Sequence, residues 1–583
     1  MARSKKPPAG KNNDIQKPMT QSSPPELVVV ARPEMELRAM KDGIASAAGA
    51  DIRGLADVLA SEGATMVPLF GLSEERMRDR TASLSAESGE EFQDLSNFYH
   101  IDAPEERLND MAEALRELEE VEAAYVKPAS EPPVTKAENN EAINDIQAMP
   151  DEPPLATPNF VPGQIYLNAA PAGIDATYAW GIPGGRGAGV KIIDCEWGWK
   201  FTHEDLLQNS MGVMVGTSLS YSSNPTANTS ANRAVNHGTA VVGVMGGDRN
   251  AFGITGICPD ANVGAASFVN KPSAQTIREA ADKLRPGDII LLEIHRPGPR
   301  FNYQSRDDQQ GYIAIEWWPD DFAAIRYAVN KGIIVVEAAG NGRQNLDDAI
   351  YNTRPGGFPT SWRNPFRTTN PSSGAVVVGA GSPPPGTHGR NHGPDRSRLD
   401  FSNYGSRVDC QGWGREVTTT GYGNLQGGSN TNEWYTETFS GTSSASPVVV
   451  GALGCVQGVL RAQGGTLITP SKAINLLRTT GSPQQDGPGR PRTQRIGNRP
   501  NLRQAIPTVA HGWQYNKKVT RTHAKHQTQM GWAIIEGGSW LRVKPRTPDG
   551  VTNTFMILCE ALANNRKVDV YLRDGQIEQA TLR

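Results

Sequence analysis

The chain has 583 residues, with 58 Lys or Arg against 62 Asp or Glu for a formal charge of −4. That length exceeds one ordinary domain, and the near-balanced charge gives no reason to expect a nucleic-acid partner. No stretch approaches the ~18 consecutive apolar residues of a membrane span, and the N-terminus, MARSKKPPAG, leads into no apolar signal core. The expectation is a soluble protein without a membrane partner, either cytoplasmic or exported by a non-classical route. The cysteines Cys195, Cys258, Cys410, Cys455 and Cys559 match no zinc spacing, and their odd number leaves at least one thiol unpaired within the chain.

In chain order, residues 1–25 are polar and Lys/Pro-rich and read as a disordered tail. Residues 26–127 suggest a small β-α-β-β-α-β unit. Its expected elements are strands at Leu27–Ala31, Thr65–Phe70, Ser96–His100 and Val121–Val126, a helix around Asp51–Ala60, and a second helix over Ala103–Glu120 capped by Asp102. A proline-dotted polar linker covers 128–160. From 161 to 506 strands alternate with helices: Gly189–Asp194, the helix Pro319–Asn330, then Ile333–Val336 and Gly374–Ala380. Such alternation predicts an α/β domain, a parallel sheet with helices on both faces and functional loops at the strand C-termini. Residues 507–583 read as a small all-β unit with strands at Gly531–Ile535, Trp540–Val543, Phe555–Leu558, Val568–Leu572 and Ile577–Leu582, the last introduced by a hairpin signal at Asp574-Gly575.

Three segments carry chemistry. The strand Val190–Asp194 delivers a carboxylate at its end, His237-Gly238-Thr239 opens a glycine-dotted apolar stretch, and Gly441-Thr442-Ser443-Ser444-Ala445-Ser446-Pro447 runs into an apolar helix. A serine hydroxyl is a weak nucleophile until a base takes its proton, and an imidazole held by a carboxylate is such a base. Gly441 permits a tight backbone before Ser443, and Pro447 suits the first turn of a helix, which would put Ser443 at a positive helix end.

In these segments the chain resembles the subtilisin family (subtilases), whose signatures HGT-x-V-x-G and GTS-x-A-x-P occur here in the family's order Asp, His, Ser. Ala338-Ala339-Gly340-Asn341 resembles the family's AAGN segment, Phe401–Gly405 its FS-x-YG stretch, and Gly253–Pro259 its GV-x-GVAP turn. The resemblance spans about residues 165–505. It implies a serine endopeptidase acting on proteins or peptides through an acyl-enzyme, with Asp194, His237 and Ser443 as catalytic triad and Asn341 as oxyanion donor. It further implies that the N-terminal unit is an inhibitory prodomain, cut off within the linker. A protein-interaction module or a ferredoxin-like regulatory domain are the other readings of that unit.

Departures matter too. The family's Asp-Ser/Thr-Gly reads Asp194-Cys195-Glu196 here, and Cys195 is expected to be a buried, inert thiol. The substrate-strand segment reads Glu293-Ile294-His295, which with Ala338, Ala339 and Gly340 forms the candidate substrate-binding set. Asp248 and Asn250 align with the family's calcium loop and are the candidate pair for a structural calcium ion; the chemistry itself calls for no cofactor. The alternative from another class is a pseudoprotease or scaffold whose appended domains bind a partner.

Overall fold

The computed structural model describes residues 23–133 and 156–583, apart from 42, 89–91, 465, 510–511, 528, 537–539 and 574. Most of the expected tail and linker, and Asp574 of the hairpin signal, thus lie outside the described residues.

The N-terminal unit is a four-stranded antiparallel sheet of β1 (Glu26–Ala31), β2 (Thr65–Pro68), β3 (Phe98–Asp102) and β4 (Val121–Lys127) in the order β2-β3-β1-β4. Helices α1 (Arg53–Glu62) and α3 (Leu108–Arg116) cover one face. The chain adds a hairpin before α1 (Leu37–Met40 with Gly43–Ser46) and, between β2 and β3, a helix, α2 (Glu74–Ser88), that periodicity did not suggest. Asp102 ends its strand, and α3 starts only after a 3-10 turn at Glu105–Arg107.

All six residues of β1 are buried. Leu27, Val29 and Ala31 pack under the unit's own helices, while Val28 and Val30 join a core shared with the central domain. A strand apolar on both faces is sandwiched, here between its own helices and α5 (Ser273–Asp282) and α6 (Pro319–Asn330) of the next domain. Where the unit meets those helices, Lys127 is fully buried against Asp320 and Asp321 on α6 and Ser273 on α5, and Arg296 pairs with Glu26.

The central domain is a seven-stranded sheet, every pairing parallel. It comprises β5 (Lys191–Glu196), β6 (Ser210–Val215), β7 (Asn262–Ser267), β8 (Ile289–Leu292), β9 (Ile334–Ala338), β10 (Val376–Gly381) and β11 (Cys410–Trp413), in the order β11-β10-β9-β8-β5-β7-β6. The strands read as continuous apolar runs because both faces are covered. Helices α4 (Ser230–Gly246) and α7 (Thr442–Ala462) pack together over one face, α5 and α6 over the other. By length and composition α7 could cross a membrane, but its apolar window is entirely buried inside this domain.

The C-terminal unit closes five strands into a barrel, β12 (Gly512–Ala524), β13 (Gly531–Ile535), β14 (Trp540–Val543), β15 (Lys567–Arg573) and β16 (Gln576–Leu582), in the order β12-β13-β14-β16-β15. It is not all-β. Phe555–Leu558, expected as a strand, lies inside helix α8 (Pro548–Ala563), whose N-cap Thr547 accepts the Gly550 N–H and whose first residue is proline. The cap outweighs the local apolar run.

Candidate active site

Strand β5 ends at Asp194, Cys195 and Glu196. Side chains alternate along a strand, so Asp194 and Glu196 share one face and Cys195 takes the other. All three are buried. Burial raises the Cys195 thiol well above its ordinary pKa, with the Asp194 and Glu196 charges adding to the effect, so it is the inert thiol its position suggested.

His237 stands on α4, which Thr229 caps by accepting the Asn232 N–H. The next residue must be glycine, since a Cβ on Gly238 would lie 2.2 Å from the Gly198 carbonyl and 2.7 Å from the Trp199 ring. Held that close, the Trp199 indole donates to Asp194 Oδ2 at 2.7 Å.

The His237 ring therefore meets a different acid from the one expected. Its Nδ1 lies 2.6 Å from Glu196 Oε2, not against Asp194. The family's glycine at position 196 would leave the imidazole open to Asp194, whereas the longer Glu196 side chain, on the same face, fills that space. Asp194 is next to Glu196 and turned to the indole.

Ser443 is the second residue of α7. The residue before the helix, Gly441, has φ +103°, a region that favours glycine. The helix begins at Thr442, so Pro447 sits inside it rather than in its first turn, and the Ser443 carbonyl lacks its helical donor. Asn341 follows the turn at Gly340 (φ +93°) after β9. Its Oδ1 accepts from Thr442 N and Oγ1, both at 3.0 Å, and its Nδ2 donates to Gln309 Oε1 at 3.2 Å. The side-chain amide is thereby fixed with its N–H side toward the groove.

A segment of the chain itself lies in that groove. Ser130 exchanges backbone bonds with Ser23 (3.1 and 3.2 Å), and Glu131 does the same with His295 (3.2 and 3.1 Å) in an antiparallel pair. Gln309 Nε2 donates to Glu131 Oε1 at 2.9 Å and reaches the Pro132 carbonyl at 3.3 Å. The Pro133 carbonyl then accepts the Ser443 N–H at 3.4 Å. Under this cover Ser443 and His237 have no exposed surface.

The other expected site residues fall into three groups. His295 is the groove edge that pairs with Glu131; its ring packs on Tyr312, and its Nδ1 accepts the Asn341 N–H at 3.4 Å. Glu293 and Ile294 are buried beneath the groove, and Ala338, Ala339 and Gly340 are held from below, where Asn403 donates to the Ala339 carbonyl. Asp248 and Asn250 do not fit a calcium ion. The Asp248 carboxylate caps the Leu207 and Gln208 amides, while Asn250 donates to Asp205 and accepts from Phe252. No group of three or more His, Cys, Asp or Glu among the described residues could hold a metal.

Three carboxyls surround this centre. Burial lifts Asp194, Glu196 and Glu293 well above the usual carboxylate range, helped by their mutual repulsion. Glu293 Oε1 lies 2.5 Å from Ser446 Oγ, itself 2.7 Å from the Thr442 carbonyl. A protonated Glu293 donating to Ser446, which donates onward, satisfies both. Burial also lowers His237 to about 4. A neutral imidazole is the form that can accept a proton from Ser443.

Sequence reasoning missed Glu196, Gln309 and Glu131–Pro133. Only Glu196 left a signal, its place two residues beyond Asp194 on the same strand face.

A family model described as the subtilase family matches residues 185–498. The chain belongs to the subtilase family. It is 25% identical over 339 residues to an intracellular serine protease of Paenibacillus polymyxa, covering 55% of this chain and 85% of the relative. It is 26% identical over 312 residues to thermitase of Thermoactinomyces vulgaris, covering 52% and 87%. The solved structure of the epidermin leader peptide processing serine protease of Staphylococcus aureus is similar over 83% of this chain and 98% of that one, at 16% identity and a TM-score of 0.44. This subtilase is a serine protease, and the pseudoprotease alternative is not favoured.

Proposed function

We propose that this subtilase is an endopeptidase in which Ser443 attacks the peptide carbonyl and His237 carries the proton from Ser443 to the leaving amine. The Ser443 N–H, with the Asn341 Nδ2, binds the oxyanion. Its first substrate is its own chain, cut between Pro133 and Val134, after which the N-terminal unit stays bound as an inhibitor. The observation that carries this reading is the Pro133 carbonyl on the Ser443 amide, with Glu131 strand-paired to His295. Main-chain pairing in an edge groove is how extended peptides are read. Two consecutive prolines pre-set φ, so the segment loses little freedom on entering.

The chemistry runs on these side chains without a cofactor. The resemblance allows a structural calcium ion, but Asp248 and Asn250 are not its site. Five free thiols, four of them buried, accord with a reducing compartment, and we propose a cytoplasmic or non-classically exported enzyme.

Purified wild type should yield a second N-terminus at Val134, and Ser443→Ala should remain one uncut chain. A wild type that cleaves peptides yet stays intact would refute the self-processing reading, and a cut Ser443→Ala chain would refute the assignment of the nucleophile.

A further inference from the structure

We propose that Glu196, not Asp194, is the carboxylate that positions the catalytic histidine, and that Asp194 serves by holding a proton against Glu196. The proposal rests on the protease reading of Ser443 and His237 but assigns the acid's role differently.

The geometry divides the four carboxylate oxygens. Glu196 Oε2 takes the His237 Nδ1 position at 2.6 Å, and Asp194 Oδ2 takes the Trp199 indole N–H at 2.7 Å. The two remaining oxygens, Asp194 Oδ1 and Glu196 Oε1, are buried, and neither has a donor among the described residues. Two buried, adjacent, unpartnered carboxylate oxygens repel each other, and a single proton between them removes the conflict. The pair then carries one negative charge, which Glu196 presents to the imidazole.

The other titratable groups facing Glu196 agree. From beyond β8 Glu293, held protonated by its burial, would only add repulsion if it ionised, and from the loop after Thr420 the buried Tyr422 phenol is held un-ionised; no cation among these groups favours two separate charges. Each carboxyl of the pair is held above its ordinary range, first by burial, and the Glu196 charge raises Asp194 further while the hydrogen bond from Asp194 lowers Glu196. That asymmetry puts the shared proton nearer Asp194.

The mechanism follows. His237 Nδ1–H donates to Glu196, leaving Nε2 free to take the Ser443 proton as Oγ bonds to the carbonyl carbon. The imidazolium so formed is stabilised by the Glu196 charge, and the proton leaves His237 for the amine as the peptide bond breaks. Asp194 gives up no proton in the cycle. It is a positioning residue acting through Glu196.

The test compares Glu196→Gln with Asp194→Asn in the full chain. Glu196→Gln removes the charge and permits the wrong tautomer, so kcat/KM should fall about 10³–10⁴-fold. Asp194→Asn keeps a donor toward Glu196, an N–H in place of the acid proton, and should lose less than about 10-fold. The acid limb of the kcat/KM profile should move down by about one pH unit or more in Glu196→Gln, since an opposite charge has left the imidazole, and by much less in Asp194→Asn. A larger loss in Asp194→Asn, or equal losses in the two, overturns the assignment. Fluorophosphonate labelling of wild-type Ser443 checks the protease reading separately. A readout independent of turnover uses the uncut Ser443→Ala chain, where the low-field proton resonance of Nδ1–H should persist with Asp194→Asn and vanish with Glu196→Gln. Its survival in Glu196→Gln would refute the proposal. Should Glu196→Gln fail to fold, Glu196→Asp keeps the charge but withdraws it by one methylene, and must lose both the resonance and most of the turnover.

Discussion

Asn341 and Gln309 touch each other and the same stretch of bound chain, but they should act on different kinetic constants. Asn341 is anchored through its Oδ1 to Thr442, which leaves its Nδ2 on the side of Gln309 and the groove. Asn341→Ala should lower kcat by about 10²–10³-fold with KM nearly unchanged, because the bond matters most as negative charge develops. Gln309 grips the two residues before the reacting one, through the Glu131 side chain and the Pro132 carbonyl. Gln309→Ala should instead raise KM about 10-fold for peptides carrying Glu-Pro-Pro and leave kcat close to wild type. A kcat collapse in Gln309→Ala would mean that it holds Asn341 in place. Ser443, His237 and Asn341 were legible in the sequence because the backbone around them admits few residues: glycine at 441 for its positive φ, at 238 for contact with Trp199, at 340 for the turn. Glu196 was not, because which of two same-face acids reaches an imidazole on another element depends on side-chain length across space.

At the scale of elements, β4 ends in Lys127, a cation enclosed by four partners, Glu26, Ser273, Asp320 and Asp321. Burial works against the charge of Glu26, but Lys127 and Arg296 hold that carboxyl down at about 2. Breaking such a network on one side strands the remaining charges. Lys127→Met would leave Glu26, Asp320 and Asp321 with Arg296 as their remaining buried cation, and should weaken retention of the cleaved N-terminal unit by about 10²–10³-fold. Titration of the activity released from the cleaved complex measures this, and an unchanged constant would show that the shared apolar core around Val28 and Val30 does all the holding. Element type was read well where periodicity ran long, as in Pro319–Asn330, and poorly where a short apolar run competed with a cap. Phe555–Leu558 passed for a strand although Thr547-Pro548-Asp549 announces a helix start. That the linker is cut at the active site was expected from the family resemblance, but the docking of Lys127–Pro133 in particular was not legible, since it depends on a groove built by β5, β8 and β9, whose residues lie at least 58 positions further along the chain.

For the whole molecule, the main cost lies in the number of acids kept away from water. Glu293 and Glu337 are fully buried with carboxyls held well above the ordinary range by that burial, the Asp194–Glu196 pair likewise, and burial pushes Asp205 up to about 7 and Asp321 to about 6. In the unfolded chain these groups return to about 4. Between those limits the folded chain binds more protons, so their contribution to stability is present at low pH and is lost as pH rises through the folded values. Two buried histidines act in the opposite sense: His203 and His237, each lowered to about 4 by burial, cost stability only as pH falls from about 6.5 toward 4. Above neutrality they are uncharged in both states and drop out. The buried thiols Cys195, Cys410 and Cys455, raised for the same reason, then work in the same direction as the carboxyls. The melting temperature of the Ser443→Ala chain, which cannot digest itself, should therefore decline as pH is raised from about 7 to about 9. Glu293→Gln in that background places a neutral amide where a protonated acid stood and should make the decline shallower. A melting temperature that holds level or climbs over this interval would mean that the buried acids are already ionised at neutrality, each with a cation or donor to support it.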